Sequence, residues 1–407
     1  MAQAATRSTA LWVVRRLRRS GHQALFAGGC VRDMLLGSRC TDYDVATDAT
    51  PRQVRRLFPR VLLIGAKFGV AMVIHRGRQV EVATFRSDLS YSDGRRPDGV
   101  RFASPREDAL RRDFTVNGMF YDPEADEVID YVGGREDLAA RVVRTIGRAD
   151  ERFAEDYLRM LRAARFAVRL GFRIAPATAA AVRKRAGRIV AISGERVFDE
   201  LSKMLSRPSA ARAMRQMRDL KLARHVLPEL FEPKRLWPGA LRRVAAVAKR
   251  KDLTLTLAAL FADLEPKRIG PMIRRWGASN ELRDALRWLT CHVDDWRMAE
   301  DMPLADFRRL AGHGQFHRLR TLWRVREKRA GGGRCARRVA RRLKEIPAGQ
   351  ALPEPFVTGL DLLEMHLPEG PLLGRVLREV YDAQLNLQVR TRKQALAWAR
   401  SRIQAHS

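Results

Sequence analysis

The chain has few cysteines and no long apolar stretch, and each shortage argues against a class of protein. It contains four cysteines in 407 residues, and no two of them have the C-x-x-C spacing of zinc or redox motifs. This argues against a disulfide scaffold and favours a reducing compartment, so we expect a cytoplasmic protein. The apolar run at residues 11–14 ends at two arginines, so we expect neither a signal peptide nor a membrane span.

Acidic residues are also scarce relative to basic ones. The 78 Lys and Arg residues outnumber the 46 Asp and Glu residues, and the net charge of +32 is spread along the chain. Such an excess indicates a polyanionic partner, most simply a nucleic acid. An arginine-rich source proteome would give the same bias, so charge alone leaves both explanations open. The length predicts two or more domains, because one compact core does not usually grow this large.

The most informative stretch is residues 25–50, which contains a glycine pair, an arginine and two closely spaced aspartates. Its first dozen residues predict a short strand followed by a helical turn. Gly28 and Gly29 lie at the junction and leave the backbone bare, so that phosphate oxygens can reach main-chain N–H groups. Arg32, one turn into the helix, can bind the same phosphates through a bidentate guanidinium. This arrangement predicts a phosphate cradle.

Two carboxylates follow in a second predicted strand. Asp42 and Asp44 flank Tyr43, so both point to one face, roughly 7 Å apart, and repel each other unless a cation lies between them. A glycine pair alone is usually a turn, and D-x-D alone is usually a solvated strand end. Their order within one strand–helix–strand unit predicts a divalent metal site beside the phosphate cradle, as nucleotidyl transfer requires.

These motifs, GGCVRD and DYD, resemble the signature of the bacterial tRNA nucleotidyltransferase/poly(A) polymerase family, the class II branch of the polymerase-β-like nucleotidyltransferases. Residues 111–117, RRDFTVN, resemble its RRDFTxNA motif, with Gly118 in place of the usual alanine. Residues 130–138 resemble its flexible linker between head and neck. The match covers roughly the first half of the chain. In the second half, residues 358–374 resemble the tail motif, with Glu-Gly-Pro replacing Pro-Gly-Pro.

The resemblance implies further site residues. In the family the RRDFTxNA segment holds the sugar and triphosphate of the incoming nucleotide. Asp113 would accept a hydrogen bond from a ribose hydroxyl, and Arg112 and Asn117 would supply donors. A third carboxylate on a neighbouring strand helps to hold the metals or orient the primer hydroxyl, and Glu81 is the candidate. A carboxylate in an otherwise apolar strand can also simply mark a sheet edge.

A long amphipathic helix is predicted from residue 150 onward. Asp156 and Arg159 are three residues apart and would be neighbours on it, which is also the spacing of a plain ion pair. The segment resembles the family's EDxxR motif, which templates the incoming base. Adenine and cytosine both present an amino donor beside a ring-nitrogen acceptor, which suits a carboxylate and a guanidinium, whereas guanine and uracil reverse that pattern. Arg162 would help to hold this edge, and residues 195–201, resembling ERxxxEL, would brace it.

The resemblance therefore implies an α+β protein with several domains. A nucleotidyltransferase head with a small mixed sheet and helices is expected at 1–147. An all-α remainder is expected to follow, with a neck that reads and braces the base at 148–207, an RNA-binding body at 208–350 and an RNA-binding tail at 351–407.

The implied activity is template-independent addition of nucleotides to RNA 3′ ends. Two Mg²⁺ ions on Asp42 and Asp44 would act with ATP and CTP as substrates, and a tRNA 3′ end, not DNA, would be the partner. The loop at 91–102 and the GLDL tail favour CCA addition over poly(A) synthesis from ATP alone, or over partial addition of A or CC. The alternative from another class is a catalytically inactive RNA-binding protein. The oligomeric state is not predicted.

Overall fold

The structure, a computed structural model, describes residues 3–4, 6–40, 42–63, 69–88, 100–231, 236–329, 332–346 and 351–406. Part of the loop expected at 91–102 therefore lies outside the described residues. The chain forms two compact units, Met1–Trp237 with Arg275–Gly277, and Pro238–Arg274 with Ala278–Ser407.

The described strands all lie in the first unit. They are Gln3–Ala4 (β1), Ala24–Ala27 (β2), Asp44–Thr47 (β3), Val61–Leu62 (β4), Val70–His75 (β5), Arg78–Thr84 (β6), Arg86–Asp88 (β7), Val100–Phe102 (β8), Phe120–Asp122 (β9), Glu127–Ile129 (β10), Val142–Val143 (β11) and Arg173–Ile174 (β12).

Helices accompany these strands and then follow them. Those up to residue 226 are Arg7–Arg19 (α1), Gly29–Leu35 (α2), Pro51–Leu57 (α3), Pro105–Leu110 (α4), Gly134–Ala139 (α5), Ala149–Glu155 (α6), Leu158–Leu170 (α7), Pro176–Arg185 (α8), Gly194–Leu205 (α9), Ala210–Asp219 (α10) and Ala223–Val226 (α11).

From residue 236 onward the described elements are helical. They are Leu236–Val247 (α12), Leu253–Phe261 (α13), Ile269–Arg275 (α14), Asn280–Cys291 (α15), Leu304–Gly312 (α16), Phe316–Arg329 (α17), Cys335–Lys344 (α18), Gly359–Glu364 (α19), Pro371–Leu385 (α20) and Arg392–His406 (α21). None of the helices in the described part of the chain is long and apolar enough to span a membrane.

The main sheet is mixed, as the sequence predicted. Its strands run in the order β10-β9-β2-β3-β6-β5-β4, with β1 also pairing with β6. β3 is antiparallel to β2 and parallel to β6, so it lies between the glycine junction and the strand of Glu81. The topology therefore places the strands of Asp44 and Glu81 beside the predicted phosphate cradle.

Both faces of β2 and most of β3 are buried, which fixes the strands that present the site. Phe26, Val45 and Val82 belong to a core that also contains residues of α1 and α7. On the opposite face, Leu25 and Ala46 pack in a second cluster with other buried side chains. Because side chains alternate along a strand, the short strands β2 and β3 contribute to both clusters and cannot tilt without disturbing one of them.

The single long helix predicted from residue 150 is wrong. The chain forms α6 and α7 instead, which are separated at Asp156 and Tyr157. Asp156 is extended, with φ −151° and ψ 105°, and its side-chain oxygen accepts from the backbone N–H of Leu158 at 3.0 Å. Asp156 thus lies just before Tyr157, the N-cap of α7, and makes the local side-chain-to-backbone bond that aspartate favours over a place inside a helix.

The connector expected at 130–138 also contains regular structure. Gly133 adopts a left-handed conformation and α5 follows it. Asp137 is buried and accepts from Thr115 at 2.7 Å and from Arg144 at 3.0 Å. This segment is therefore an anchored helix in the structure, because its carboxylate satisfies two partners from neighbouring segments.

Candidate active site

The glycine junction between β2 and α2 packs closely against other parts of the site. Gly28 has φ +71°, and a Cβ there would lie 2.9 Å from Arg112 Nη1. The backbone conformation therefore requires glycine at this position, whereas the near contact is with the end of a flexible side chain. The N–H of Gly28 donates to the carbonyl of Met119 at 3.1 Å, whereas Gly29 begins α2.

Arg32 is almost completely buried, with 2% of its surface exposed. Its guanidinium donates to Asp33 at 2.7 Å and to the side-chain oxygen of Asn117 at 2.5 Å. The predicted phosphate ligand is thus already held by two protein acceptors. One of these, Asn117, was itself predicted as a site residue, and the structure brings the two together.

The carboxylates converge, although Asp42 lies outside the strand in which it was predicted. β2 ends at Ala27, the partner of Asp44, so the ladder does not extend to Asp42. Asp42, Asp44 and Glu81 nevertheless line one cavity. Burial raises the pKa of Asp44 to about 7, and the charges of Glu81 and Asp42 add to the shift. Burial, followed by the charge of Asp42, also raises the pKa of Glu81.

These carboxylates suit a Mg²⁺ ion whose coordination the substrate completes, and they do not form a site in which protein side chains supply all the ligands. Within the described residues, no three His, Cys, Asp or Glu side chains form a ready-made metal-binding group. Mg²⁺ usually binds one or two carboxylates, and phosphate oxygens of the substrate complete its shell. Crowded carboxylates with raised pKa values beside a phosphate cradle match that pattern, because a bound cation would relieve their repulsion.

The RRD segment is fixed by a buried aspartate that the sequence analysis did not single out. Asp108 pairs with Arg111 at 2.6 Å and with Arg112 at 2.8 Å. Its burial acts to raise its pKa, but the charges of Arg112 and Arg111 outweigh this effect and lower it. The acid lies three and four residues before the two arginines, a helical spacing that could have revealed it.

Asp113 is buried and well supplied with donors. It accepts from the backbone N–H of Phe114 at 2.8 Å, from the Asn117 amide at 3.2 Å and from Arg162 at 2.6 Å. Burial opposes ionisation, but the charge of Arg162 overcomes it and lowers the pKa of Asp113. Arg162, which was predicted to support Asp156 and Arg159, forms ion pairs with Asp113 and, at 4.0 Å, with Glu200.

The predicted base-reading pair is present, but its members do not pair with each other. Asp156 accepts from Arg196 of α9 at 2.7 Å. Arg159 pairs with Glu155 and donates to the carbonyl of Arg152 at 3.0 Å. The simple ion pair between Asp156 and Arg159 is therefore absent, because the break between α6 and α7 turns Asp156 toward α9.

These residues line one cavity of about 830 Å³. All twelve predicted site residues are among its walls. Further cationic side chains, which were not among the predicted site residues, also line it: Arg86, Arg111, Arg165, Arg169, Arg196 and Lys203. Two of these, on α7, lie three and seven residues after Arg162, a helical spacing that could have identified them.

Comparison with known proteins agrees with this geometry. Residues 24–144 match the family described as "Poly A polymerase head domain", and residues 171–232 match "Probable RNA and SrmB- binding site of polymerase A". A CCA-adding enzyme of Geobacillus kaustophilus is 34% identical over 402 residues, covering 98% of this chain and 97% of the relative. This chain belongs to the CCA-adding enzyme family. The resemblance seen in the sequence motifs is thereby confirmed, and it extends over the weakly matching second half.

Solved structures of the family support the same conclusion. The crystal structure of Bacillus stearothermophilus CCA-adding enzyme in complex with CTP has a TM-score of 0.80 and 32% identity, with coverage of 98% of this chain and 97% of the other. A Thermotoga maritima CCA-adding enzyme complexed with tRNA has a TM-score of 0.66 at 19% identity, covering 98% and 97%, and shows likeness of fold. The predicted α+β class is therefore confirmed.

Proposed function

We propose that this protein is a nucleotidyltransferase that adds CCA to tRNA 3′ ends from CTP and ATP. The observation that carries the proposal is one cavity that joins three crowded carboxylates, a glycine junction and the pair Asp156 and Arg159. Family relatives named CCA-adding enzymes, similar over nearly their full length, favour this activity over poly(A) synthesis and over loss of catalysis.

Asp42 and Asp44 are the proposed ligands of two Mg²⁺ ions. When bound, the ions would lower the pKa of the primer 3′-hydroxyl and neutralise charge on the departing pyrophosphate. Glu81, on the strand beside Asp44, would steady the ions or orient the hydroxyl. The raised pKa values of Asp44 and Glu81 support this assignment, because crowded acids gain most from a neighbouring cation.

The cationic wall of the cavity is the proposed triphosphate site. Gly28 and Gly29 allow phosphate oxygens to approach the backbone at the start of α2. Arg32 and Arg112 supply positive charge, each held in place by a carboxylate, Asp33 and Asp108 respectively. Charges that are fixed before the substrate arrives need little reorganisation when it binds.

Asp113 and Asn117 are the proposed ribose contacts. Each carboxylate oxygen has two lone pairs, so Asp113 can accept a ribose hydroxyl while it retains Arg162. Its lowered pKa keeps it ionised and therefore an acceptor at neutral pH. The bond from Asn117 to Asp113 would hold the two groups at a fixed separation.

Asp156 and Arg159 are the proposed readers of the base. The Asp156 carboxylate would accept from the exocyclic amino group of cytosine or adenine, and the Arg159 guanidinium would donate to the adjacent ring nitrogen. Uracil and guanine would leave both protein groups mispaired, at a cost of about 1.5–3 kcal/mol for each lost charge-assisted bond. Nucleotide choice would then need no nucleic-acid template.

The domain boundaries expected from the sequence remain part of this proposal. A head at 1–147 and a neck at 148–207 would carry the chemistry, and a body at 208–350 and a tail at 351–407 would bind the RNA backbone through basic residues. A cytoplasmic location is also proposed; it is supported by the free cysteines Cys30, Cys40 and Cys291.

The decisive experiment incubates the protein with tRNA lacking its 3′ end, giving CTP and ATP singly and together with Mg²⁺. We expect two nucleotides to be added with CTP alone and three, but no more, with both nucleotides, as the length of the tRNA on a sequencing gel would show. Unlimited incorporation of ATP into any RNA would identify a poly(A) polymerase instead. Absence of any Mg²⁺-dependent pyrophosphate release, with RNA binding retained, would identify an inactive RNA-binding protein.

A further inference from the structure

Arg169 extends the row of arginines that α7 presents to the cavity. Arg159, Arg162 and Arg165 follow one another at intervals of three residues, and Arg169 comes four residues later. Residues three and four apart lie on one face of a helix, and all four side chains line the cavity. At 1.5 Å per residue the row is about 15 Å long. Arg159 therefore lies at one end of the row, at the proposed base site, and Arg169 lies at the other.

The end of α7 that carries Arg169 lies beside Arg32 of the proposed triphosphate site. Arg169 Nη2 donates to Asp33 Oδ2 at 3.2 Å, and Arg32 Nη2 lies 2.7 Å from Asp33 Oδ1. Phe166 of α7 also contacts Arg32, because the centre of its ring lies 5.3 Å from the guanidinium carbon. One carboxylate thus joins the two guanidiniums, and α7 packs against Arg32.

Of these two guanidiniums, that of Arg169 is the one more open to a ligand. Arg32 is 2% exposed, and its Nε donates to Asp33 while its Nη1 donates to Asn117. The side chain of Arg169 is 35% exposed, and Arg169 lines the cavity. Its contact with Asp33 is made through Nη2, so the guanidinium keeps further N–H donors for a bound group.

Positive charge is crowded around Arg169. Asp33 is shared between Arg32 and Arg169, and the neighbouring Arg165 already pairs with Glu200 at 2.5 Å. Burial, followed by the charge of Arg32, lowers the pKa of Arg169, although the charge of Asp33 acts in the opposite direction. A bound anion would relieve this crowding, because it would add negative charge where two guanidiniums share one carboxylate.

The glycine junction indicates which anion would bind here. A Cβ on Gly29 would lie 3.6 Å from Arg32 Nη2, so Asp33 and Arg169 adjoin the backbone that the triphosphate is proposed to approach. An RNA phosphate would also suit a guanidinium, but the position beside Arg32 favours the phosphates of the nucleotide.

We propose that Arg169 is a further substrate-binding residue, which contacts a phosphate group of the incoming nucleotide while Asp33 holds its guanidinium beside Arg32. The inference rests on the proposed function and deepens it. It adds to the triphosphate site of Arg32 and Arg112 a ligand from the helix that also carries Arg159, so that one helix contacts both ends of the nucleotide.

The test compares Arg169→Gln and Arg169→Lys with the parent protein. Glutamine removes the charge, whereas lysine keeps it without the planar fork. Arg173→Gln is the matched control: it removes the same charge at an exposed position just beyond α7, and Arg173 is not among the residues that line the cavity. We would measure kcat, the KM values for CTP, ATP, UTP and truncated tRNA, and the inhibition constant of pyrophosphate, which has phosphates but no base or ribose. Circular dichroism would compare folding.

For Arg169→Gln we expect the KM values for CTP and ATP and the inhibition constant of pyrophosphate to rise together, roughly fivefold to thirtyfold, as for loss of one partly exposed charge-assisted hydrogen bond. The KM for tRNA and the CTP-to-UTP ratio should match the parent, because neither the RNA backbone nor the base loses a contact. Arg169→Lys should recover part of the loss, and Arg173→Gln should match the parent.

An inhibition constant for pyrophosphate at the parent value in Arg169→Gln would overturn the inference. If the KM for tRNA rises in its place, Arg169 binds the RNA backbone instead. A lower kcat with parental KM values would also overturn it, since that result indicates only a structural role. If the glutamine variant does not fold, the lysine variant decides: a parental inhibition constant overturns the inference, and a raised one supports it.

Failure of the parent protein to add C and A would refute the proposed function itself. Titration calorimetry with pyrophosphate and Mg²⁺ needs no turnover and separates that failure from this one. Weaker binding by Arg169→Gln than by the parent and Arg173→Gln would support the inference, and equal binding by all three proteins would overturn it.

Discussion

The active-site cavity and a recess in the second unit use positive charge in different ways. Ten cationic side chains and five carboxylates line the cavity, and most of these carboxylates have a cationic partner or a crowded acidic neighbour. The recess, of about 360 Å³, contains Arg250, Arg320 and Arg324 with one carboxylate, Asp252, which pairs with Arg318 at 2.8 Å.

The difference between the two places shows that charges paired with a neighbouring acid and charges without such a partner suit different kinds of binding. Paired and buried charges have fixed directions, so they can recognise one base edge or hold a metal. Arginines that form no ion pair with an acid in the described part of the chain, such as Arg320 and Arg324, attract polyanions without choosing between sequences. Burial and the charge of Arg324 lower the pKa of Arg320, the direction expected where cations lack a nearby acid.

The largest expected effect concerns the cavity. Asp44→Asn should lower kcat for nucleotide addition by at least about a thousandfold, because it removes a charged ligand of the proposed ions. RNA affinity, measured by mobility shift, should remain close to that of the parent. Equal loss of activity and RNA binding in this variant would contradict the claim that the cavity carboxylates serve catalysis and the recess arginines serve RNA binding.

The next effect tests the support behind the cavity wall. Gly194→Ala should lower the free energy of unfolding by about 1–3 kcal/mol, because a methyl group would overlap the Arg275 carbonyl. Thermal denaturation followed by circular dichroism measures the change. Gly187→Ala is the control, since a Cβ there meets His225 at an ordinary 3.6 Å. Equal melting temperatures for both variants would show that α9 is not held as described.

A smaller effect is expected in the recess. Replacing Arg320 and Arg324 by glutamine should weaken RNA binding and reduce the slope of log affinity against log salt by roughly one to two. The CTP-to-UTP selectivity should not change. Arg283→Gln serves as control, because Asp284 already compensates that charge at 2.9 Å. A double variant with an altered CTP-to-UTP ratio but the salt slope of the parent would show that these arginines affect nucleotide choice and not RNA binding.

The smallest effect concerns a thiol behind the cavity. Cys30 is 2% exposed, and burial raises its pKa to about 12, so it should resist alkylation at pH 8, where the reactive thiolate is scarce. Cys291 is exposed and should react first, as mass spectrometry of digested protein can show, with activity unchanged. Rapid labelling of Cys30 in folded protein would mean that β2 and β3 open readily.

The head was predictable because its signals are local. Gly28, Asp42 and Asp44 lie within one short stretch, and the strand of Glu81 has a clear alternation that the structure reproduces. The placement of Gly28, Asp44 and Glu81 around the cavity could be predicted from side-chain alternation along strands and from a turn that needs glycine. The position of Asp42 before β3 could not.

The break at Asp156 was not predictable in the same way. No proline or glycine marks it, and the apolar spacing continues across it, so periodicity alone favours one helix. The break is stabilised by the bond from the Leu158 N–H to the Asp156 carboxylate and by the ion pair of Asp156 with Arg196. The ion pair between Asp156 and Arg196 joins residues forty positions apart, so it cannot be predicted from the sequence near Asp156.

The short segment Arg275–Gly277 limits how the protein can be divided. It belongs to the first compact unit, although the residues on both sides of it in the chain belong to the second. A fragment cut after Trp237 would lack Trp276, the stacking partner of Phe198, and the backbone against which Gly194 packs. An isolated catalytic fragment would thus need these three residues to be added back. Simple deletion after Trp237 should leave the ring of Phe198 without its stacking partner and exposed to solvent.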